Sequence, residues 1–392
     1  MVSPKKKLAR MRNWSELPSE LLELIIKKLV VVDTIRFKSV CRYWNKAAQS
    51  TISSPSYIPK PQIPLLMLST RPTMDQFHGC RFLNLEENGK VYELNNDVVY
   101  GGFSDDALYA GSSYGWLAIL DKKTEPYLVN PFSRAKIKFQ LEPTTRLRFE
   151  KGLVIKIVLS SNPSRNKNFS AAVLCGIVPP NNRLAFYEHS DNSNSFTWTW
   201  SEFENEFYFD ITCHNGKVYA LNFFNSVHIW DFHTSLPIKA VDTINVKMEA
   251  KKLAMELLRY PVPMPDNLSL FCRPCFVESS SGEILILKQI HLYSVDNDTM
   301  STIGFVVFTF DDETGKIECM PQTLSDQAIL LGRREATSIS TRDFPKLEAN
   351  SIYFMDEYLE IYNLKKDKFT RCVYEYGSST KSLSCWMVPN LW

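Results

Sequence analysis

The chain has 392 residues, of which 44 % are hydrophobic and 22 % charged, ordinary values for a globular protein. Its length predicts more than one domain, and its 12 % of aromatic residues favours strands over helices. The formal net charge is only +2, so no global electrostatic argument favours nucleic acid as a partner.

The first segment, residues 1–13, is basic rather than apolar, which predicts a disordered tail instead of a signal peptide. Its run of lysine and arginine over 5–12 leaves a nuclear localisation signal open as an alternative. The apolar stretch 21–32 is interrupted by charges and is shorter than the roughly 18–20 residues that span a bilayer. With nine scattered cysteines, the chain is expected in the nucleus and/or cytoplasm, away from membranes and with free thiols.

Residues 14–50 have a helical pattern, with three helices expected. Pro18 suits a first helical turn, because its missing N–H has no partner there. Asp33 is the expected cap of a second helix, and a third is expected from Cys41 to Ala48. On the first helix, Glu23 and Lys27 stand four residues apart and favour an ion pair. Apolar residues recur there at three- and four-residue intervals, at Leu21, Leu22, Ile25, Ile26 and Leu29.

Roughly forty residues in three helices cannot enclose a sufficient core alone. The apolar stripe must therefore be covered, either by the rest of the chain or by another protein. Periodicity leaves both alternatives open.

The same residues resemble an F-box. The leading Leu-Pro, the apolar positions after it, Asp33 and the Val-Cys-Arg-x-Trp ending at Trp44 fall at the spacing of that family. Residues 30–32 depart mildly from it, since many members have a proline just before the aspartate. The resemblance covers about forty residues and implies docking to a Skp-type adaptor, and through it to a cullin, as helix-in-groove recognition. The adaptor-facing positions that it implies are Leu17, Pro18, Leu21, Leu22, Ile25, Leu29, Val40, Cys41 and Trp44.

Residues 51–64 are rich in serine and proline and are the expected linker to a β-rich domain at 65–392. One sequence motif recurs in that domain: a turn, an apolar strand, a gap, and a second strand that ends in Asp or Asn. Its four versions span 114–132, 215–231, 281–311 and 350–364, and residues 81–94 contain a degenerate fifth.

Such hairpins cannot bury their faces alone, and stacking them in a ring does so. The expected fold is therefore mostly β with a small α-helical N-terminal domain, the β part being an irregular propeller of about six or seven blades. Long intervals between the later copies of this motif predict insertions, namely a short helix over 247–258 and a proline-rich stretch over 261–265. An open stack of sheets is the alternative.

This region also resembles the domain of the KIB-type proteins, a plant domain that often follows an F-box. The resemblance covers roughly 65–390 and is carried by several segments, each less specific than the F-box pattern. They lie at 115–118, 129–133, 214–221, 277–285 and 350–354. It implies a protein-recognition role with differing targets.

Catalytic motifs give weaker signals. Gly111-Ser112-Ser113-Tyr114-Gly115 matches the G-x-S-x-G pattern of a nucleophile elbow, but an elbow needs a helix after the serine. Here a strand pattern follows, which favours a structural turn. A serine hydrolase using Ser113 remains the enzymatic alternative.

Metal ligands and cofactor motifs give no stronger signal. Cys272 and Cys275 form a C-x-x-C without a second pair at zinc-site spacing, so packed thiols are expected. His228 and His233 are expected at strand ends rather than as ligands. Alternation in 196–200 places its aromatic residues on one face, which favours core packing over a partner-binding patch. No phosphate-binding loop is present in the sequence, and no cofactor is predicted.

The sequence therefore predicts a non-enzymatic substrate receptor of a ubiquitin ligase, with an unidentified target protein. The alternatives are a propeller-like protein-interaction scaffold without a ligase role and, from another class, the serine hydrolase using Ser113.

Overall fold

The computed structural model describes residues 14–68, 79–95, 108–120, 125–142, 153–176, 182–190, 195–202, 207–222, 226–241, 267–279, 282–320, 323–356, 358–372 and 385–391. The chain divides into two compact units. The helical unit comprises Met1–Gln62 with Asn390–Trp392, and the propeller unit comprises Ile63–Pro389. Predicted features at 1–13, 247–258 and 261–265 lie outside the described residues. None of the described helices is long and apolar enough to cross a membrane.

Three α-helices follow a 3₁₀ turn at Trp14–Glu16 in the helical unit: α1 Ser19–Ile26, α2 Val31–Val40 and α3 Arg42–Ile52. Pro18 precedes α1 with φ −53° and ψ 143°, so it occupies the N-cap position rather than the first turn. The expected ion pair on α1 is present, with Lys27 Nζ 2.6 Å from the Glu23 carboxylate. The third helix continues beyond its predicted end at Ala48 and stops at Ile52.

The prediction that Asp33 caps the second helix is wrong. Helix α2 begins at Val31, two residues before Asp33, and Val30 occupies its N-cap position in an extended conformation. Asp33 lies in the first turn, where its carboxylate accepts a hydrogen bond from Arg36 at 2.9 Å and faces the positive end of the helix dipole. The first amide of the helix, Val31 N, donates to Gln62 Oε1 at 3.3 Å. A partner so distant in sequence leaves no local signal.

The described strands of the propeller unit form six sheets, or blades, because the largest sheet joins two blades through one parallel pair, Glu278 with Thr337. Blade 1 contains β1 Leu65–Leu68, β2 Gly79–Asn84 and β3 Lys90–Asn95; blade 2 contains β4 Leu108–Ser113, β5 Trp116–Leu120, β6 Pro126–Val129 and β7 Lys136–Lys138. Blade 3 contains β8 Leu153–Leu159, β9 Phe169–Gly176, β10 Asn182–Ser190 and β11 Ser195–Trp200. Blade 4 contains β12 Tyr208–His214, β13 Lys217–Asn222, β14 Val227–Trp230 and β15 Lys239–Val241.

Blade 5 has the longest described strands, and blade 6 has the largest number of them. Blade 5 contains β16 Leu268–Glu278, β17 Ile284–Ser294, β18 Thr299–Phe310 and β19 Ile317–Met320. Blade 6 contains β20 Gln327–Leu331, β21 Ala336–Ser340, β22 Ser351–Met355, β23 Leu359–Asn363 and β24 Lys368–Arg371. The final strand, β25 Cys385–Met387, pairs antiparallel with β1 and so joins the end of the chain to blade 1.

The blades form a closed ring. Their inner strands contact one another in sequence: β4 with β8, β8 with β12, β12 with β16, β16 with β21, β20 with β25, and β25 with β4. The expected propeller is therefore confirmed, with six blades among the described residues. The C-terminal strand closes it.

The core lies between neighbouring blades, so most strands are buried on both faces. On β17, for example, Ile284 and Ile286 pack in a cluster with blade 4, whereas Leu285 and Leu287 pack in a cluster with blade 6. Similar clusters join blades 2 and 3, 3 and 4, and 6 and 1. Two-sided burial explains why the strands read as continuous apolar runs rather than as alternating patterns.

The recurring sequence motif corresponds to hairpins within the blades. Its four versions form β5–β6, β13–β14, β17–β18 and β22–β23, and the degenerate fifth forms β2–β3. Blade 3 contains no copy of this motif and was therefore not predicted from it.

Gly111 lies where blades 2 and 3 approach each other closely. Its φ is +143°, and an added Cβ would stand 2.6 Å from the backbone oxygen of Ile157 on β8. Gly111→Ala is therefore expected to cost more than the roughly 1–3 kcal/mol of an unfavourable backbone conformation alone. The measurement is the urea dependence of unfolding. Gly216→Ala is the matched control, because Gly216 also has positive φ, +72°, but nothing lies within 4 Å of its added Cβ. Equal destabilisation by the two variants contradicts the steric argument.

Candidate functional site

Helix α1 is apolar on two sides. Leu22 and Ile26, four residues apart, are fully buried. Leu21, Leu24 and Ile25 lie on another side of the same helix and are 46 %, 57 % and 37 % exposed. A helix of this length needs only one apolar side to pack in its own unit. The exposed side is therefore available to a partner.

Other large apolar side chains of the helical unit are also exposed. Val40 ends α2 and is 58 % exposed, and Tyr43 in the first turn of α3 is 45 % exposed. Trp14 in the 3₁₀ turn is 69 % exposed. Like Leu21, Leu24 and Ile25, these three side chains are large, apolar and exposed. Sequence reasoning missed Leu24, although its spacing of three from Leu21 could have included it.

The residues predicted to face the adaptor differ in exposure. Pro18, Leu21, Ile25 and Val40 are exposed; Leu17, Leu29, Cys41 and Trp44 are half-buried; Leu22 is buried. A fully buried side chain presents no surface to a partner. The structure thus places Leu22 in the core, and we do not retain it as a docking residue.

Trp44 and Cys41 have structural contacts inside the helical unit. The indole of Trp44 lies 4.4 Å from the ring of Phe37, centroid to centroid, and its Nε1 donates to the backbone oxygen of Trp14 at 3.1 Å. Cys41 is the N-cap of α3, and its Sγ accepts from Trp44 N at 3.5 Å. These contacts fix the start of α3 and with it the position of Tyr43.

In the propeller unit, the inner strands bring charged residues together. Lys156 on β8 and Asp210 on β12 form an ion pair of 2.7 Å, with side chains only 9 % and 8 % exposed. The other carboxylate oxygen of Asp210 accepts from Phe276 N on β16 at 2.8 Å. This carboxylate thus joins blades 3, 4 and 5.

Glu335 makes the corresponding connection on the other side of the ring. It lies in the turn between β20 and β21 and accepts from the Tyr109 hydroxyl at 2.6 Å and from Trp386 N at 2.7 Å. Burial raises the pKa of Glu335 to about 7, although both hydrogen bonds and the Lys156 charge favour its ionised form. An added Cβ at Gly332 would overlap the Glu335 carboxylate and would displace it from its hydrogen bonds with Tyr109 and Trp386.

Two cavities adjoin these charged residues. The smaller, about 80 Å³, is lined by Lys156, Asp210, Glu335 and three arginines; the larger, about 310 Å³, has a mixed polar and apolar lining. Lys156 and Glu335 line both. The larger cavity lies at the low end of the roughly 300–1,000 Å³ range of small-molecule sites.

The G-x-S-x-G segment forms a β-hairpin. Ser113 ends β4, Tyr114 and Gly115 have φ of 53° and 80°, and β5 follows at once. Two positive φ values in a two-residue loop are typical of a type I′ turn. A nucleophile elbow has a helix in place of β5, so the motif is a structural turn, although Ser113 does line the larger cavity.

The remaining candidate ligands have packing roles. Burial raises the pKa of the Cys272 thiol, and that of Cys275 to about 12, and both cysteines are free. His228 is buried, and its Nδ1 is hydrogen-bonded to the Tyr208 hydroxyl at 2.8 Å. Within the described ranges, no three His, Cys, Asp or Glu side chains are grouped to hold a metal ion.

The aromatic residues at the end of blade 3 pack in the core as expected. Phe196, Trp198 and Trp200 lie against the cluster between blades 2 and 3. Trp198 Nε1 also donates to the backbone oxygen of Gln140 at 2.8 Å.

Two family models match this combination of helices and blades. The KIB1-4 beta-propeller model matches residues 82–375, more than half of the chain. The chain belongs to the KIB1-4 β-propeller family. The F-box domain model matches residues 14–53, which contain α1, α2 and α3. Both resemblances expected from the sequence are therefore confirmed, and the chain is an F-box protein with a KIB-type propeller.

Several related proteins of Arabidopsis thaliana match most of this chain. Putative F-box protein At5g66830 is 26 % identical over 356 residues, 87 % of this chain and 81 % of the relative. Putative F-box protein At4g17565 is 22 % identical over 90 % of this chain and 86 % of its own length. F-box protein At2g26160 is also 22 % identical, over 88 % of this chain and 96 % of its own. The similarity extends along nearly the whole chain.

Proposed function

We propose that this chain is the substrate-recognition subunit of an SCF-type cullin-RING ubiquitin ligase. Its helical unit docks a Skp-type adaptor, which connects it to a cullin, and its propeller unit holds a target protein. The observation that carries the proposal is the exposed apolar side of α1, at Leu21, Leu24 and Ile25, within a segment that matches the F-box model.

The exposed apolar area of α1 can supply free energy for docking. Fully burying a leucine or isoleucine side chain contributes roughly 1.5–3 kcal/mol. In the free chain these three side chains obtain only part of that contribution, because each is more than a third exposed. An apolar groove on the adaptor would supply the rest, as in other helix-in-groove complexes. Docking therefore uses surface that the fold itself leaves uncovered.

The chain itself is proposed to perform no chemistry. A receptor of this kind acts by holding the target beside a charged conjugating enzyme that is bound to the same complex. Tethering raises the effective concentration of the target lysine to roughly the millimolar range for a short connection. Precise positioning adds to this, since it lowers the entropy lost on reaching the transition state.

The double variant Leu21→Asp, Ile25→Asp tests the docking surface. We expect its affinity for a purified Skp-type adaptor to fall more than about 100-fold, because each central anchor contributes roughly 2 kcal/mol or more. The helical unit should still fold, since both side chains are partly exposed and the buried Leu22 and Ile26 are kept. The measurement is co-elution on size exclusion, with circular dichroism to verify the fold.

Leu236→Asp is the matched control, because Leu236 is an equally exposed leucine, 51 %, of the propeller unit. It should co-elute with the adaptor like the wild type. If the double variant does so too, the docking surface is wrong. If the wild-type chain fails to co-elute, the ligase role itself is wrong.

A further inference from the structure

Blade 5 extends beyond the blades on either side of it. Its strands β16 and β17 have 11 residues each and β18 has 12, whereas the longest described strand of blades 4 and 6, β12, has 7. On the face towards blade 6, the shared cluster contains Val277 and Leu287. Further along the same face, Phe271 and Met300 are 51 % and 59 % exposed. The far end of blade 5 therefore has an apolar face that the described part of blade 6 does not cover.

The inner strand of this blade, β16, has one edge bonded to β17 and one edge directed away from it. In an antiparallel ladder, successive residues direct their backbone N–H and C=O groups alternately to the two edges. The ladder with β17 is regular, and just beyond it Ser279 N donates to Glu283 O at 2.8 Å, so the odd-numbered residues bond to β17. The even-numbered residues face the other edge, as Phe276 N shows by donating to Asp210 at 2.8 Å.

That other edge is open over the first half of β16. Leu268, Leu270 and Cys272 direct their N–H and C=O groups to it, and the described strand that pairs there, β21, does so at Glu278 alone. None of these groups has a hydrogen-bond partner among the residues that the structure describes. Pro274 is the next residue on this side and has no N–H, so it ends the row of donors. We call Leu268–Cys272 the open edge.

The open edge also lacks the charges that usually protect a sheet edge. Charged side chains on edge strands discourage pairing with another chain. The outer strands of five blades contain lysine, arginine or glutamate, namely β3, β7, β15, β19 and β24, and β11 of blade 3 is the exception. The open edge reads Leu-Ser-Leu-Phe-Cys. An uncharged row of free backbone groups is a template for one kind of ligand, another extended chain.

An acidic turn lies at the start of the open edge. Asp296, in the turn between β17 and β18, accepts a hydrogen bond from Asn267, the residue before β16. Asp296 and Asp298 are both exposed. No lysine or arginine occurs at 267–272 or 290–302, so neither strand end supplies a neutralising charge. Charge complementarity therefore favours a ligand with a basic side chain at this end.

We propose that the open edge captures an extended segment of the target protein as an added antiparallel strand, the arrangement called β-augmentation. The segment pairs with the even-numbered residues of Leu268–Cys272, and its alternate apolar side chains pack on Phe271 and Met300. Because the strands are antiparallel, a lysine or arginine at the C-terminal end of the segment faces the acidic turn. The inference rests on the proposed function, since it assumes that the propeller unit holds the target. It adds that the recognised feature is an unfolded segment rather than a folded surface.

The test uses the full chain and the probe fluorescein-Gly-Thr-Leu-Thr-Leu-Thr-Lys-Lys-amide, followed by fluorescence anisotropy. With its leucines opposite Ser269 and Phe271, the amides of its three threonines face β16 and those of its leucines point away. N-methylation of the threonines should weaken binding more than about tenfold, because each hydrogen bond contributes a factor of roughly 2–10. N-methylation of the leucines should change the affinity little. Binding through side chains or charge alone would not separate the two methylated probes.

Variants of the chain test the same hydrogen bonds from the other side. Cys272→Pro removes an N–H of the open edge and leaves the ladder with β17 intact, because proline is tolerated where the N–H faces away from the sheet. It should weaken probe binding about threefold or more. Cys272→Ala is the matched control, since it removes the exposed thiol and keeps the N–H, and it should bind the probe as the wild type does. Circular dichroism verifies that both variants are folded.

Asp296→Asn tests the acidic turn. It should weaken binding of the lysine-ended probe and leave unchanged the binding of a probe in which glutamines replace both lysines. An equal effect on the two probes contradicts the proposed orientation of the segment.

Absence of probe binding by the wild-type chain, equal affinity for the two methylated probes, or equal binding by Cys272→Pro and Cys272→Ala overturns the inference. A dimer of the free chain that Cys272→Pro disrupts also overturns it, because a second copy then occupies the open edge. Co-elution with the adaptor is measured on the same preparation. A chain that co-elutes but does not discriminate the methylated probes loses only this inference, whereas one that discriminates them without co-eluting loses only the ligase role.

Discussion

Trp386→Ala is expected to lower the free energy of unfolding of the propeller unit by about 3–5 kcal/mol, the range for deleting a buried large aromatic side chain. Trp386 is 3 % exposed and packs in the cluster between blades 6 and 1. Its Nε1 donates to the backbone oxygen of Leu331 at 3.2 Å. The closing strand β25 has only three residues, so the loss of its central side chain removes much of what holds it in place.

Urea unfolding followed by circular dichroism measures this effect. Val388→Ala is the control, because Val388 lies just beyond β25 and is 51 % exposed. Its replacement should change the stability by less than about 0.5 kcal/mol, as for other surface substitutions. Similar losses in the two variants would mean that β25 does not close the ring as described.

Lys156→Met is expected to destabilise the propeller unit by about 3–5 kcal/mol, the usual cost of removing one partner of a buried ion pair. The Asp210 carboxylate would keep its hydrogen bond from Phe276 N but lose its only described cationic partner at ion-pair distance. The same variant removes a positive charge that lowers the pKa of Glu335, so that pKa should rise further. Both effects act on charged residues that line the smaller cavity.

Lys366→Met provides the comparison. Lys366 forms an ion pair of the same length, 2.7 Å, with Glu348, but its side chain is 66 % exposed. Exposed pairs contribute about 0–1 kcal/mol, so this variant should unfold nearly as the wild type does. A small effect of Lys156→Met under the same conditions would show that water reaches the Lys156–Asp210 ion pair in the smaller cavity.

Helix α1 illustrates what periodicity can establish. Spacing of three and four identified Leu21, Leu22, Ile25 and Ile26 as apolar positions on a helix. It did not separate those that pack inside from those that face solvent, because an eight-residue helix with two apolar sides has no polar face wide enough to divide them. Only packing against the neighbouring helices assigns Leu22 and Ile26 to the core.

Blade 3 shows where the repeat pattern fails. In blades 2 and 4 the hairpins are marked by Tyr114-Gly115 and Asn215-Gly216, whose positive φ values the sequence signals through glycine. The segments 177–181 and 191–194, which connect the strands of blade 3, contain no glycine. Without that signal its strands were visible only as apolar and aromatic runs, and the blade was not separated from its neighbours.

The charged residues that line the smaller cavity had no sequence signal at all. Lys156, Asp210, Arg273 and Glu335 come from four blades and are separated by about 60 residues at each step. A ring of strands brings such distant positions to one axis, and no local spacing records that. The proposed docking surface, in contrast, lies within one short segment, and a pattern within that segment was enough to predict it.

The pairing of β1 with β25 also sets the order in which the propeller can form. These strands begin at Leu65 and Cys385, so the inner neighbour of β1 is made about 320 residues later. At roughly 5–20 residues per second, the ribosome needs about 15–60 s to supply it. Throughout that interval β1 presents an unpaired edge, which is a template for a strand of another chain. Until β25 has been made, the nascent chain is therefore open to edge-to-edge aggregation, and a chaperone that covers β1 would protect it.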